Sequence, residues 1–319
     1  MGKKEETDFD PFLCSAISPD GHTFSMDLSR FMTMDIQGVI SVRYAPLHFL
    51  ASKAFWAPQG DKEAVVDEDN NFWIINTYDG IPAQVPYDNF SNSSDLLGWI
   101  DSTHLLLGNG LLPPDNFDES NHYTIESLDI TTGKVTTIGT LYHSGMPIEY
   151  GVISPDSKTV FISDKYQEMQ PFNTVIATMN LQTGKITQYP HIEAILQNNE
   201  VTNAVWKPGS QEMVLTTGSQ TTGDLQTWIA HLDTDTITSL VPGQYATAWN
   251  QETNTIITIT ANIGNAYEQV SDGKTVIDPS TPITISAITL NQYEYPTITT
   301  LTKNAYFTSS LGFIPPTQP

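Results

Sequence analysis

The sequence predicts an all-β fold, a six-bladed β-propeller of four-stranded antiparallel blades, with seven blades possible. Two observations lead to this prediction. Turn motifs preceded by a bulky apolar residue return at spacings of 39, 43, 54, 53 and 43 residues, near the length of a four-stranded blade. Between them, apolar residues tend to fall at every second position, as in VIATMNL at 175–181, and helical periodicity is nearly absent.

Each repeat is predicted to open with a strand that ends at an anchor residue, followed by a Pro/Asp/Gly-type turn. The six anchors are Ile17, Trp56, Trp99, Ile153, Trp206 and Trp249. We expect the tryptophans among them to pack between blades. Six such repeats close by radial repetition, which leaves only short edges exposed. A sandwich or a solenoid is the alternative, and a hairpin-rich unit of this length argues against both.

A second strand, a variable connection and a third strand follow each turn. The predicted third strands are FMTMDI at 31–36, FWIINT at 72–77, YTIESLDI at 123–130, VIATMNL at 175–181, WIAHLD at 228–233 and ITISAITL at 283–290. Tight turns lead to the fourth strands, and two of these, TTGKVTTI at 131–138 and QTGKITQY at 182–189, are nearly alike. Gly133 and Gly184 supply the positive φ that such hairpins need. The best helix candidate is HIEAILQN at 191–198.

The first and fourth turn motifs carry a family resemblance. ISPDGHTF at 17–24 and ISPDSKTV at 153–160 resemble the SPDG-type repeat of TolB-like, WD40-like (PD40) β-propellers. The resemblance covers about residues 12–302 and implies the propeller fold. The same repeat occurs in the propeller domains of prolyl-oligopeptidase-type peptidases. The resemblance also implies an extracytoplasmic location (periplasmic, cell-surface or secreted), in the soluble part of a larger envelope protein.

The chain is expected to divide into three parts. Residues 1–10 are predicted to be a flexible N-terminal segment, residues 11–303 the propeller, and residues 304–319 a closing strand or a linker to a missing segment. No window of 18 apolar residues occurs, so no membrane insertion of this chain is expected. The oligomeric state is left open.

The charge balance limits the class of partner. The chain has 13 Lys and Arg against 36 Asp and Glu, a formal net charge of −23. An acidic protein repels a phosphate backbone, so nucleic acid is not expected as a partner, whereas a protein or a small-molecule ligand is. Cys14 is the single cysteine, which excludes a disulfide within the chain.

The connections between second and third strands predict a binding face. They are short at 27–30 and 67–71 and longer at about 108–122, 164–173, 218–227 and 261–282. Because long loops on a rigid scaffold are where binding residues concentrate, we expect a recognition face on units three to six. Its predicted aromatic contact residues are Phe117, Tyr166, Phe172 and Tyr267.

A second candidate site is the mouth of the central channel, where the first strand of each blade begins. The predicted ligand-binding residues there are His48, Asp95, Glu149, Tyr150, Glu200, Asn203 and Tyr245. Convergent polar and aromatic groups around a cavity are the default site of a ligand. The alternative is a water-filled mouth with no ligand.

Motifs of catalytic chemistry are missing from the sequence. GxSxG, HExxH, Walker A and Cys/His ligand sets do not occur, so no catalytic residue is predicted and no cofactor is expected. Calcium is possible at Asp115, Asp118 and Glu119, whose oxygens are suitable ligands, although a solvated acidic loop is the alternative.

The sequence therefore predicts a non-catalytic ligand- or protein-binding propeller module. Two alternatives stay open. One is a propeller enzyme, a hydrolase or lyase with its active site at the channel mouth. The other is the gating propeller of a prolyl-oligopeptidase-type peptidase that lacks its catalytic domain.

Overall fold

The computed structural model describes most of the predicted strands and the turns that join them. The described residues are 15–17, 23–27, 31–35, 40–43, 53–66, 71–76, 81–87, 94–110, 122–142, 150–166, 173–196, 199–219, 225–250, 253–261, 267–269, 275–277, 283–290 and 296–305. Within these ranges, no helix is both long and apolar enough to cross a membrane.

The chain divides into two compact units, and the described residues up to Gln84 belong to the first. This unit has two four-stranded antiparallel sheets with their strands in chain order. Sheet 1 consists of β1 (Ser15–Ile17), β2 (Thr23–Asp27), β3 (Phe31–Asp35) and β4 (Ile40–Arg43). Sheet 2 consists of β5 (Lys53–Trp56), β6 (Lys62–Val66), β7 (Phe72–Asn76) and β8 (Pro82–Gln84). Buried side chains of β6 and β7, among them Val65, Phe72 and Ile75, form its core.

The described residues from Val85 onward form the second unit, with four further sheets of the same strand order. Sheet 3 has β9 (Ser94–Trp99), β10 (His104–Gly110), β11 (His122–Asp129) and β12 (Val135–Tyr142), and sheet 4 has β13 (Tyr150–Ile153), β14 (Thr159–Tyr166), β15 (Asn173–Asn180) and β16 (Ile186–Gln188). Helix α1 (Pro190–Ile195) leads to sheet 5, with β17 (Asn199–Trp206), β18 (Glu212–Ser219), β19 (Leu225–His231) and β20 (Thr236–Pro242). Sheet 6 has β21 (Tyr245–Asn250), β22 (Thr255–Ala261), β25 (Ile283–Leu290) and β26 (Pro296–Ala305), with the separate hairpin β23 (Tyr267–Gln269) and β24 (Thr275–Ile277) between β22 and β25.

The SPDG-type motif of sheet 4 forms a turn that is held by side-chain hydrogen bonds. The Ser154 hydroxyl donates to the Asp156 carboxylate at 2.7 Å and accepts from the backbone of Thr159 at 3.0 Å. Side chains that hydrogen-bond the backbone a few residues away are what hold such turns. The motif therefore builds the link between β13 and β14.

The near-identical hairpin turns also form as predicted. Asp129 accepts hydrogen bonds from the backbone of Thr131 at 2.8 Å, and Asn180 accepts from the backbone of Thr183 at 2.9 Å. Gly133 and Gly184 follow with φ of 70° and 67°, in the left-handed region that favours glycine. An Asx side chain and a glycine thus close each turn.

Three apolar clusters lie between the successive sheets of the second unit. The first joins sheets 3 and 4, the second joins sheets 4 and 5, and the third joins sheets 5 and 6. Trp206 lies in the second cluster and Trp249 in the third, and each side chain is only 5% exposed. The expected position of these two anchors between blades is confirmed.

Candidate functional site

Each sheet of the second unit has two distinct ends, set by its antiparallel order. At one end the first strand begins and the second strand passes to the third. In sheet 3, for example, Asn109 near the end of β10 pairs with Ser94 of β9 and with Thr124 of β11. We call this the loop end. The opposite end, which holds the turns between first and second and between third and fourth strands, is the turn end.

The loop ends of sheets 5 and 6 lie on the same side. Asn203 of β17 donates from Nδ2 to the Ala246 carbonyl of β21 at 2.6 Å, and farther along, Lys207 Nζ lies 5.0 Å from the ring centroid of Trp249. Because both contacts advance in the same sense along the chain, β17 and β21 run in the same direction. Their first residues are therefore at a common end.

Four of the predicted mouth residues lie at the beginnings of first strands. Tyr150 and Tyr245 are the first residues of β13 and β21, and Asp95 and Glu200 are the second residues of β9 and β17. Strand β13 packs against β9 and β17, and β17 packs against β21. The repeat therefore places these residues on four consecutive first strands.

Asn203 lies farther along β17 and has a structural contact. Its side chain donates to the Ala246 carbonyl, and the backbone amide of Ala246 donates to the Thr216 hydroxyl at 3.0 Å. Nearby, the buried Thr227 hydroxyl donates to the Gln244 carbonyl at 2.6 Å. These bonds tie sheet 5 to sheet 6. These hydrogen bonds between sheets were not predicted from the sequence, because the threonines indicated only that the segments are strands.

Seven of the other predicted site residues lie outside the described residues: His48, Glu149, Phe117, Phe172, Asp115, Asp118 and Glu119. Tyr166 was predicted in the connection at 164–173 but is the last residue of β14, whereas Tyr267 begins β23 inside the connection between β22 and β25. Among the described residues, no group of three or more His, Cys, Asp and Glu is placed to hold a metal ion. Calcium binding remains a prediction.

The connections at the loop end differ from expectation in length. Eleven residues join β10 to β11 and 21 lie between β22 and β25, but only six join β14 to β15 and five join β18 to β19. The last two are shorter than predicted because pairing continues farther, for example from Asp164 with Val175 to Tyr166 with Asn173. Sheets 3 and 6 therefore carry the long connections.

The turn end carries charges of both signs. The four described lysine side chains of the second unit lie in turns at this end: Lys134, Lys158, Lys185 and Lys207. The described carboxylates at this end are Asp101, Asp129, Asp156, Glu212, Asp233 and Asp235. The three described histidine side chains of the second unit lie there as well. In each of these, Nδ1 is close to a carboxylate, at 2.9 Å for His104 with Asp101, 2.8 Å for His191 with Asp235 and 3.2 Å for His231 with Glu212.

The described charged side chains of the loop end are Asp95 and Glu200, and the connection from β10 to β11 adds Asp115, Asp118 and Glu119 by sequence. Lys165 of β14 and Lys303 of β26 also lie toward this end by their positions in the strands. Both TGK turns place a lysine at the turn end of neighbouring repeats.

Four groups of the second unit have raised pKa values: Tyr87, Glu126, Tyr189 and Glu193. Burial raises the pKa of Glu126, against hydrogen bonds from the side chains of Asn109 and Thr124. Burial and the nearby Glu126 charge raise the pKa of Tyr87 to about 12. A carboxyl group with a raised pKa is suited to general acid chemistry. Glu126 lies opposite Leu107 of β10, and Leu107 pairs with Leu96, the residue that follows Asp95 in β9.

Comparison with known proteins identifies the fold. No protein-family model and no curated protein sequence matches the chain. Among solved structures it is similar to TolB from Acinetobacter baumannii (14% identity, 72% of this chain and 53% of that chain, TM-score 0.52). It is also similar to Kuenenia stuttgartiensis hydrazine synthase (12%, 90% and 79%, TM-score 0.61) and to an oligogalacturonate lyase in complex with manganese (12%, 91% and 88%, TM-score 0.59).

These likenesses confirm the predicted TolB-like β-propeller fold with four-stranded antiparallel blades. The described residues contain six such sheets. The chain spans about half the length of the TolB structure that it matches. Proteins with different functions share this architecture, so at these identities the likeness shows the fold alone.

Proposed function

We propose that this chain is a non-catalytic protein-binding module that recognises a cationic segment of its partner with the loop end of the second unit. The observation that carries the proposal is the placement of Asp95, Tyr150, Glu200 and Tyr245 at the starts of four consecutive first strands. Carboxylates and tyrosines together suit the ammonium and guanidinium groups of Lys and Arg, through charge and through the aromatic faces.

The scaffold supports this function because it holds the strand starts in fixed relation. Apolar clusters fill the spaces between sheets 3, 4, 5 and 6, and the bond from Asn203 to the Ala246 carbonyl joins two of the strands that supply the site. A preorganised surface loses less conformational entropy on binding than a mobile one. The longest connections of the second unit join strands at this same end, in sheets 3 and 6, and long loops on a rigid scaffold are where binding residues concentrate.

The net charge supports the cationic partner. The chain has a formal net charge of −23. A positively charged segment would therefore be attracted to the protein as a whole. Such steering raises association rates and weakens as salt concentration increases.

The proposal can be tested with a fluorescent Lys/Arg-rich peptide of twelve residues, using anisotropy at low and at physiological salt. The test variant is the double substitution Asp95→Asn with Glu200→Gln. The matched control is Asp156→Asn with Asp233→Asn, which removes two charges at the turn end. Two charges about 6 Å apart in water interact by about 0.7 kcal/mol, so each lost carboxylate should weaken binding about threefold and the pair about tenfold.

We expect the loop-end variant to bind the peptide about tenfold more weakly at low salt, with a smaller salt dependence, and the control to bind nearly as the parent does. Equal losses in both variants would mean that only net charge attracts the peptide. No binding by the parent protein at low salt would also refute the proposal. Parallel titrations with Ca²⁺ and Mn²⁺ test whether a metal ion is part of the site.

The extracytoplasmic location is part of the same proposal. It is supported by the resemblance of the repeat motif to that of TolB-like propellers. Cell fractionation of the protein expressed from its complete gene is the direct test, and recovery in the cytoplasmic fraction would contradict it.

A further inference from the structure

Helix α1 takes the place of part of an outer strand in sheet 4. Strand β15 pairs with β14 along its whole length, but β16 pairs only with Ala177, Thr178 and Met179 of β15. Beyond this pairing, the backbone of Ile176 accepts from the Tyr189 amide at 3.1 Å and donates to Glu193 Oε1 of α1 at 2.9 Å. A helix carboxylate therefore binds the amide that a longer strand would have bound.

The start of α1 is capped from the next sheet. Tyr189, at the N-cap position, makes no side-chain capping bond. Instead the Asp235 carboxylate accepts from the backbone amides of His191 and Ile192, at 3.1 and 3.2 Å, and contacts His191 Nδ1 at 2.8 Å. Asp235 lies in the tight turn between β19 and β20, with a φ of 51°. It links the turn end of sheet 5 to the helix.

The other end of α1 leads directly to the loop end. The Leu196 carbonyl accepts from the amide of Asn199, the first residue of β17, at 2.9 Å. Ile192 and Leu196 are fully buried in the cluster that also contains Val201 and Trp206 of β17. The helix and the first half of β17 therefore pack in the same apolar cluster. Glu200 lies in this part of β17, directly before Val201.

We propose that α1 is a clamp, and that its anchorage by Asp235 at the turn end fixes the first residues of β17, and so the place of Glu200, at the loop end. A helix of six residues is not stable by itself in water, so α1 depends on its anchors. Asp235 is a positioning residue in this scheme. Its effect on partner binding rests on the proposed function, whereas its effect on β17 does not.

The test is hydrogen exchange followed by mass spectrometry on the whole chain without any ligand. The variant Asp235→Ala removes the cap, and Asp233→Ala, an exposed residue of the same turn, is the control. We expect Asp235→Ala to speed exchange of the amides at 190–204 about fivefold, the ratio that corresponds to loss of a helix cap. Exchange in β9 and β10 of sheet 3 should be unchanged, and the control should match the parent.

Asp235→Asn supplies a second, milder variant. It keeps an acceptor oxygen for the amides of α1 and loses the charge, so its exchange should fall between those of the parent and Asp235→Ala. Faster exchange only at 232–236, or an equal increase in every sheet, would overturn the clamp. Because no ligand is present, a failure of peptide binding at the loop end would leave this result standing, and the reverse also holds.

Discussion

Replacing Gly184 by alanine should test how closely the blades pack. A Cβ on Gly184 would lie 2.3 Å from the carbonyl oxygen of Ile138 in the neighbouring sheet, and the φ of Gly184 is +67°. The left-handed backbone costs an alanine about 1–2 kcal/mol. The overlap adds about 1–3 kcal/mol, because a strand carbonyl cannot rotate away and the two sheets must separate instead.

We therefore expect Gly184→Ala to lower the free energy of unfolding by about 2–5 kcal/mol. With an m-value of about 3 kcal/mol/M, the urea midpoint should fall by about 1 M, measured by circular dichroism. Gly209→Ala is the matched control, since Gly209 has a φ of 72° but lies in an exposed turn. It should lose only the backbone part. A loss no larger for Gly184→Ala than for the control would refute the close approach of sheets 3 and 4.

Three further substitutions test hydrogen bonds of the second unit, each followed by urea unfolding. Burial opposes the charge of Asp235, but hydrogen bonds from His191 and the α1 backbone outweigh it and lower its pKa. The stability that these bonds contribute is present above about pH 4 and is lost as the pH falls below it. Asp235→Asn should therefore make the free energy of unfolding depend less steeply on pH in acid. Burial raises the pKa of Glu193, so its ionisation lowers the stability of the protein as the pH rises. Glu193→Gln keeps the acceptor for the amide of β15 and removes this charge. The variant should therefore be more stable relative to the parent at pH 7 than at pH 4. Trp206→Phe removes the Nε1 bond to the Val152 carbonyl at 3.1 Å and should cost about 1–3 kcal/mol, and an unchanged midpoint would contradict that bond's role.

The strands were predictable because their signals are local. The predicted third strands 31–36, 72–77, 123–130 and 175–181 correspond to β3, β7, β11 and β15 within two residues at each end. The segment predicted at 283–290 coincides with β25. Alternating side chains and Asx–Gly turns determine these elements over a few residues, so a single sequence contains the information.

Other boundaries could not be read in this way. Strand β19 begins at Leu225, three residues before the predicted start, and β14 and β18 run farther into their connections. Helix α1 (Pro190–Ile195) starts one residue before the predicted range 191–198 and ends three residues before the end of that range. Strand ends depend on whether a partner strand continues the pairing, and that partner is not a sequence neighbour.

Part of the candidate site followed from the sequence. Asp95, Tyr150, Glu200 and Tyr245 are four of the seven residues predicted at the channel mouth, and each is the first or second residue of the first strand of its sheet. Their role in binding stays a prediction. Asn203 shares the strand with Glu200, yet its amide is bonded to the Ala246 carbonyl of the next sheet. No pattern along the chain distinguishes the two cases.

By itself, the sequence determined the all-β class, the repeated four-stranded unit and the turn chemistry, because side-chain alternation and glycine conformation act between near neighbours. Only the tertiary structure decided which residues meet across sheets. It brought Asp235 to the start of α1, 44 residues away, and laid Lys207 over the ring of Trp249. Those contacts arise from packing between blades, where distant segments are adjacent in space.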